Sequence, residues 1–313
     1  MKLELAAMMK KIQPKGQLKK YVSDKSALFY ASEKSKVGHN IPELMMQYGS
    51  GLPKFYLKTF PMIFSTIINS KKSYKSVVDN PKNAKTEVTN EYIEELIQYA
   101  KSLGAFDVGF TKVKPEYIFK GSSILHENAI VITMEMDKEA VGEAPSKITG
   151  HEVHRTYNAL GVIVNKIAEF MRENGYSAQA APALGGDVNY VLLAEKAGLG
   201  AIGNHGLLIS PKVGPRQRIA AVYTSIENLP FNDINEHLWI KDFCKSCKKC
   251  VRACPSKAIF DHPIEDYNDT MKHIDYRKCA IPFSRQSGCS VCIKECTFNK
   301  VDYNKIKSGF IKK

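Results

Sequence analysis

Cysteine is missing from the first 243 residues of this 313-residue chain, and tryptophan occurs once. That removes disulfides and thiol-bound metal from more than three-quarters of the molecule. No apolar run is long enough to span a bilayer. The most apolar early stretch, Phe55–Asn69, is interrupted by Lys58 and Pro61 and reads as a helix packed on the core or an amphipathic surface segment. No secretory or twin-arginine pattern opens the chain, so the expected compartment is the cytoplasm, where disulfides are rare. There is no P-loop and no G-x-S-x-G. His151-Glu-Val-His154 spaces its histidines three apart, not the four of a zinc protease, and lacks a third ligand.

Acidic residues are scarce at both ends. Residues 1–85 carry 16 Lys/Arg against 5 Asp/Glu, and residues 241–313 carry 16 against 8. Residues 86–240 reverse the balance, with 13 against 19. Basic ends are either a solvated lysine-rich surface or a face for an acidic partner. The partners this suggests are a ferredoxin or flavodoxin acting as electron donor, a nucleic acid, or an anionic membrane.

All eight cysteines lie in the last quarter, in two sets of four. Cys244, Cys247, Cys250 and Cys254 form C-x-x-C-x-x-C-x-x-x-C-P, the run of two-cluster bacterial ferredoxins. Three thiolates two residues apart wrap one cubane face. The fourth, before Pro255, points at the other cluster. Cys279, Cys289, Cys292 and Cys296 follow as C-x(9)-C-x-x-C-x-x-x-C, with Thr297 where proline is usual. The expected ligation is crossed: Cys244, Cys247, Cys250 and Cys296 hold one 4Fe–4S cluster, and Cys279, Cys289, Cys292 and Cys254 hold the other. Two four-thiolate zinc sites would use the same number of ligands, but the spacing with proline belongs to cubanes.

The middle of the chain is mixed α/β. Residues 90–111 read as a helix, with Ile93, Leu96, Ile97 and Ala100 on one face and Gly104 closing it, followed by a strand over Phe106–Phe110. His126–Met136 and Arg218–Thr224 read as buried strands. Tyr157–Asn174 is an amphipathic helix closed by Gly175, and Tyr190–Ala197 is a further helix. Gly198, Gly200 and Gly203 have the G-x-G-x-x-G spacing of a dinucleotide loop. A helix rather than a strand precedes them, an apolar run follows, and no acid lies about 20 positions on. The glycines instead cap the helix and let backbone approach a large flat ligand.

The segment AEKAGLGAIGNHGLLISPKVGPRQR (Ala194–Arg218), followed by IAAVYTSIENLP and the double-cluster cysteines, resembles the reductive dehalogenases and their relatives, the epoxyqueuosine reductases. The resemblance covers about residues 90–300. It implies an α/β fold: a nitroreductase-like, cobalamin-binding core over residues 86–240 and a C-terminal two-cluster ferredoxin-like module over 241–313. Residues 1–85 form a basic extension of unassigned role. The implied cofactors are two 4Fe–4S clusters and cobalamin, and the implied activity is reduction of a small organic substrate. By the same resemblance, Tyr157 supplies a proton and Arg216 is its neighbouring cation, while Gly198, Gly200, Gly203 and Gly206 wall the corrin. The plainer roles are a helix-face aromatic for Tyr157 and a structural ion pair for Arg216. Leu184 stands where epoxyqueuosine reductases carry a catalytic aspartate, with Asp187 the nearest acid, which disfavours tRNA as partner. A cluster-only electron carrier is the remaining alternative.

Overall fold

The elements that position the site are, in chain order, α1 (Phe60–Lys75), α2 (Asn90–Ser102), β1 (Asp107–Lys112), β2 (Asn128–Glu135), α3 (Lys147–Glu173), β3 (Ala178–Ala180), α4 (Tyr190–Lys196) and β4 (Gln217–Thr224). The cysteine region adds α5 (Trp239–Cys247), α6 (Lys249–Ala253), β5 (Ile259–Asp266), β6 (Thr270–Ile274), α7 (Tyr276–Arg285), α8 (Val291–Lys294), α9 (Thr297–Lys300) and α10 (Tyr303–Ile311). The computed structural model describes residues 17–22, 28–38, 41–50, 57–181, 184, 186–232, 234–266, 270–285 and 288–311. The first sixteen residues of the basic extension, and Phe55 of the early apolar run, lie outside them.

One four-stranded sheet, ordered β1-β2-β4-β3 and antiparallel at every pairing, organises the core. Its strands alternate side chains between two faces. Ile130, Ile132, Ala220 and Val222 face one way, onto Leu160, Val164, Ile167 and Met171 of α3 and Ile93 and Leu96 of α2. Ala129, Val131, Ala221 and Tyr223 face the other, onto Leu193 and Ala194 of α4. Both faces are covered, which is why β2 and β4 read as continuous apolar runs. At Gly109 an added Cβ would sit 3.0 Å from Ala197, so β1 meets the end of α4 through bare backbone.

The predicted helices and strands of residues 90–224 form close to where their patterns place them, and two differences bear on the core. Helix α3 starts ten residues before Tyr157, because Ser146 caps it by accepting from the Thr149 N–H at 3.1 Å. Strand β3 spans three residues, too few for periodicity to register. Helix α1 belongs to this core. Its Ser73 and Asn69 hydrogen-bond Asn165 of α3, and its buried Tyr74 hydroxyl donates to the Asp187 carboxylate. Burial, with the Asp187 charge beside it, holds the Tyr74 phenol well above its ordinary pKa. The basic extension is thus joined to the core by buried polar bonds and is no free tail over these residues.

Candidate iron–sulfur centre

The thiols are placed by abrupt changes of backbone direction. Helix α5 buries Ile240 and Cys244 against Ala201, Ile209 and Phe298. Lys248 is left-handed, at φ 48°, so the chain turns after Cys247 and α6 brings Cys250 back to the same side. Cys254 is extended, with its sulfur accepting from the Ala258 N–H at 3.2 Å. In the second set Cys289 and Ser290 are both left-handed, at φ 54° and 60°, directly before α8 and its Cys292. Cys296 is extended at the start of α9.

These turns bring together thiols that lie far apart in the sequence. Cys244, Cys247, Cys250 and Cys296 line one small hollow, walled by Ile209, Phe243 and Phe298. The Cys296 thiol is raised by burial and then by the charges of Cys244, Cys250 and Cys247. Cys292 is raised by burial and then by Cys279 and Cys289, with Cys250 and Cys254 following. Cys279 feels Cys289 and Cys254 in the same way. Burial pushes Cys244 up to about 12, and Cys250 and Cys279 to about 11. At Cys254 burial is outweighed by the Ala258 and Ser256 N–H groups, and the thiol lies below its ordinary value. Four soft sulfur donors line this hollow. The donor set fits a cubane, whose charge would supply the driving force to deprotonate these buried thiols.

A second, larger hollow of about 680 Å³ adjoins the first, sharing Asn204 and Cys244 with it. Gly203 and Gly206 line it, with Tyr117, Leu192 and Ile202 from the core and His262 and His273 from the β5–β6 hairpin. Five lysines reach it, Lys34, Lys36, Lys196, Lys241 and Lys245, against Glu116 and Glu195. The Lys241 ammonium pairs with the buried Glu195 at 2.8 Å. Gly206 is left-handed at φ 77°, and an added Cβ would lie 3.0 Å from that of His273. Gly198 and Gly200 do other work. Gly198 turns the chain at the end of α4. A Cβ on Gly200 would collide with the Ile209 carbonyl at 2.2 Å, within the short Ala201–Ile202/Leu208–Ile209 hairpin. That hairpin, where a dinucleotide loop would start a helix, excludes the nucleotide fold for this glycine spacing.

Tyr157 and Arg216 are not brought together as the resemblance implied. Arg216 is nearly buried and ties Glu135 at 2.7 Å, the Val213 carbonyl at 3.2 Å and Asn299 at 3.5 Å. It clamps β2 to the cysteine region. The cation over the Tyr157 ring is Arg218, its guanidinium carbon 4.7 Å from the centroid. Tyr157 packs with Leu207 and Cys292 against Met136, Val153 and Ile293, on the side of the second thiol set. Neither Tyr157 nor Arg216 lines the large hollow.

Comparison with known proteins follows this geometry. Residues 237–260 match the family described as a 4Fe-4S binding domain. A tetrachloroethene reductive dehalogenase of Desulfitobacterium hafniense is 36% identical over 208 residues, 62% of this chain and 37% of that protein. An epoxyqueuosine reductase of Listeria monocytogenes is 24% identical over 251 residues, 66% of this chain and 64% of the relative. A solved reductive dehalogenase, described as suggesting a mechanism for B12-dependent dehalogenation, superposes with TM-score 0.67 at 21% identity. It covers 94% of this chain and 46% of its own. The shared fold therefore reaches well into residues 1–85, where the sequence showed no match. The chain is an iron–sulfur protein. It is related to the reductive dehalogenases and, at lower identity, to the epoxyqueuosine reductases, and it spans well under half the length of the dehalogenase it matches. No described helix is long and apolar enough to cross a membrane.

Proposed function

We propose that the chain is a corrinoid-dependent oxidoreductase that passes electrons through two 4Fe–4S clusters to a small organic substrate. The observation that carries this reading is the junction of the two hollows at Asn204 and Cys244. A large planar group in the second would lie beside a cluster in the first. At about 680 Å³ the second hollow falls within the usual 300–1,000 Å³ of a small-ligand pocket. Its glycines leave room for a flat face, and its lysines suit an anionic or amide-rich periphery. A nitroreductase-like core is part of the same reading. When bound, the corrinoid supplies the reductant for a carbon–halogen bond.

The protein's part is to deliver electrons and a proton. For a halogenated substrate, two electrons and one proton are consumed, the carbon–halogen bond breaks, a carbon–hydrogen bond forms and halide leaves. An acidic one-electron donor docking on the basic ends would provide the electrons. Tyr157 is the proposed proton donor, with Arg218 in the place of the cation assigned to Arg216. The Arg218 guanidinium carbon, 4.7 Å from the ring centroid, holds the Tyr157 ring in place. The absence of Tyr157 from the large hollow's lining supports a second reading, a cluster-only electron carrier.

The discriminating experiment is anaerobic purification followed by cobalamin reconstitution, read by visible spectroscopy with iron and sulfide counts. About eight iron atoms with stoichiometric corrin is the expected result. The same iron content with no corrin uptake would leave the carrier.

A further inference from the structure

His205 sits in the turn between the two hollows and no part of the proposed chemistry uses it. It is buried, at 4% exposure, and lines the thiol hollow. Its Nδ1 accepts a hydrogen bond from the Leu207 backbone N–H at 3.2 Å. A ring nitrogen that accepts carries no proton, so the neutral imidazole has its hydrogen on Nε2. That Nε2 is fully buried and has no partner among the described residues. A buried N–H left unpaired is costly, and structures satisfy such groups in the great majority of cases.

The surroundings narrow what the partner is. The adjacent Asn204 backbone N–H already lies against the Cys244 sulfur and offsets part of the rise that burial imposes on that thiol. Asn204 is itself held in place by its side chain, which donates to the Phe260 and Asp261 carbonyls at 3.3 and 3.2 Å. The turn is closed by Gly203 N–H to the Leu207 carbonyl and Gly206 N–H to the Gly203 carbonyl. Beyond the ring, the hollow offers apolar walls at Ile209, Phe243 and Phe298 and the sulfurs of its four cysteines. The other buried unpartnered ring nitrogen nearby, Nδ1 of His273, belongs to a residue lining the large hollow instead.

We propose that His205 donates its Nε2–H to a sulfur of the cluster held by Cys244, Cys247, Cys250 and Cys296, and so sets that cluster's reduction potential apart from the other's. The inference rests on the two-cluster reading. Hydrogen bonds to cluster sulfurs stabilise the more negative, reduced state and raise the potential. His205 is a positioning and tuning residue here and touches no substrate.

The test is a mediated redox titration of the purified holoprotein, followed by EPR, on wild type, His205→Leu, His205→Gln and His273→Leu. His205→Leu should move one of two potentials in the negative direction. A tenfold loss of electron affinity, about 59 mV for a one-electron couple, is the expected scale. His205→Gln, which keeps a donor at similar reach, should restore most of the shift, and His273→Leu should leave that potential in place. Eight iron atoms per chain in each variant, with neither potential moved or both moved equally, would overturn the proposal. So would the same shift from His273→Leu, since the Nε2–H would then be serving His273 through water. A wild type that never carries eight iron atoms removes the two-cluster reading itself, and this inference with it.

Discussion

The two hollows touch at Asn204 and Cys244 yet are built in opposite ways. The smaller is specified by side chains: four sulfurs brought together by left-handed residues and short helices within 60 residues of sequence. The larger is specified by what side chains leave free. Two glycines, a hairpin from the cysteine region and lysines from as far away as Lys34 bound a space whose shape no single segment encodes. The first can be recognised by spacing. The second exists only once distant segments have packed.

The crossed ligation is where this contrast can be broken most severely. Cys254→Ala and Cys296→Ala each sit in the sequence motif of one cluster and the thiol set of the other. We expect Cys254→Ala to lose the cluster of Cys279, Cys289 and Cys292, and Cys296→Ala to lose that of Cys244, Cys247 and Cys250. Each should fall from about eight iron atoms to about four, as followed by iron assay and EPR. Loss of the sequence-adjacent cluster in either variant would mean uncrossed ligation.

The proposed proton donor lies outside both hollows. Tyr157→Phe should lower turnover by about 10²–10⁴-fold, the usual weight of a general acid, with corrin and iron content unchanged. Arg218→Met should lower turnover in the same direction. Full turnover in Tyr157→Phe would favour another proton source.

The next effects are on stability. Gly200→Val should destabilise by several kcal/mol or prevent folding, because its Cβ would meet the Ile209 carbonyl at 2.2 Å. Arg216→Met removes a nearly buried cation from Glu135, which is itself 38% exposed and regains water. A loss of about 1–3 kcal/mol is expected, larger than for Arg218→Met. Urea denaturation of the three variants tests this order; equal losses from the two arginine variants would show that Arg216 is not the clamp.

The last expected effect is a pH dependence in the core, seen only below neutral pH. Burial lowers His126 to about 4, and its Nε2 lies 2.6 Å from the Ser177 hydroxyl. Between that value and an unfolded pKa of about 6.5 the unfolded chain binds the extra proton, so stability is full above the window. It falls as pH drops through it, by up to about 1.4 kcal/mol per pH unit. His126→Gln should flatten this part of the profile. An unchanged slope would place the loss at another group.

Much of this was legible in sequence, and unevenly so. The cysteine spacing identified both thiol sets because each ligand's neighbours along the chain decide its direction. Strands β2 and β4 and helices α2 and α3 were legible because burial on both sheet faces leaves a period in the residues. Gly203 and Gly206 were found as wall residues, but Gly198 and Gly200, in the same motif, serve the local turn and hairpin. Arg216 and Arg218 stand two apart with identical chemistry, and sequence had no means of telling which meets Glu135 and which meets Tyr157.

By itself, then, the sequence determined the iron–sulfur chemistry, the alternation of the core and the rejection of a dinucleotide loop, all of which depend on residues near one another in the chain. Tertiary structure alone decided that helix α1 docks on α3 through Asn165 and reaches Asp187 through Tyr74, and that Arg218 lies over Tyr157. It also decided that a buried His205 faces the thiol hollow with an unpartnered N–H. The reason is physical: hydrogen-bond partners and cavity walls are set by which distant surfaces exclude water together, and that contact leaves no period in the chain.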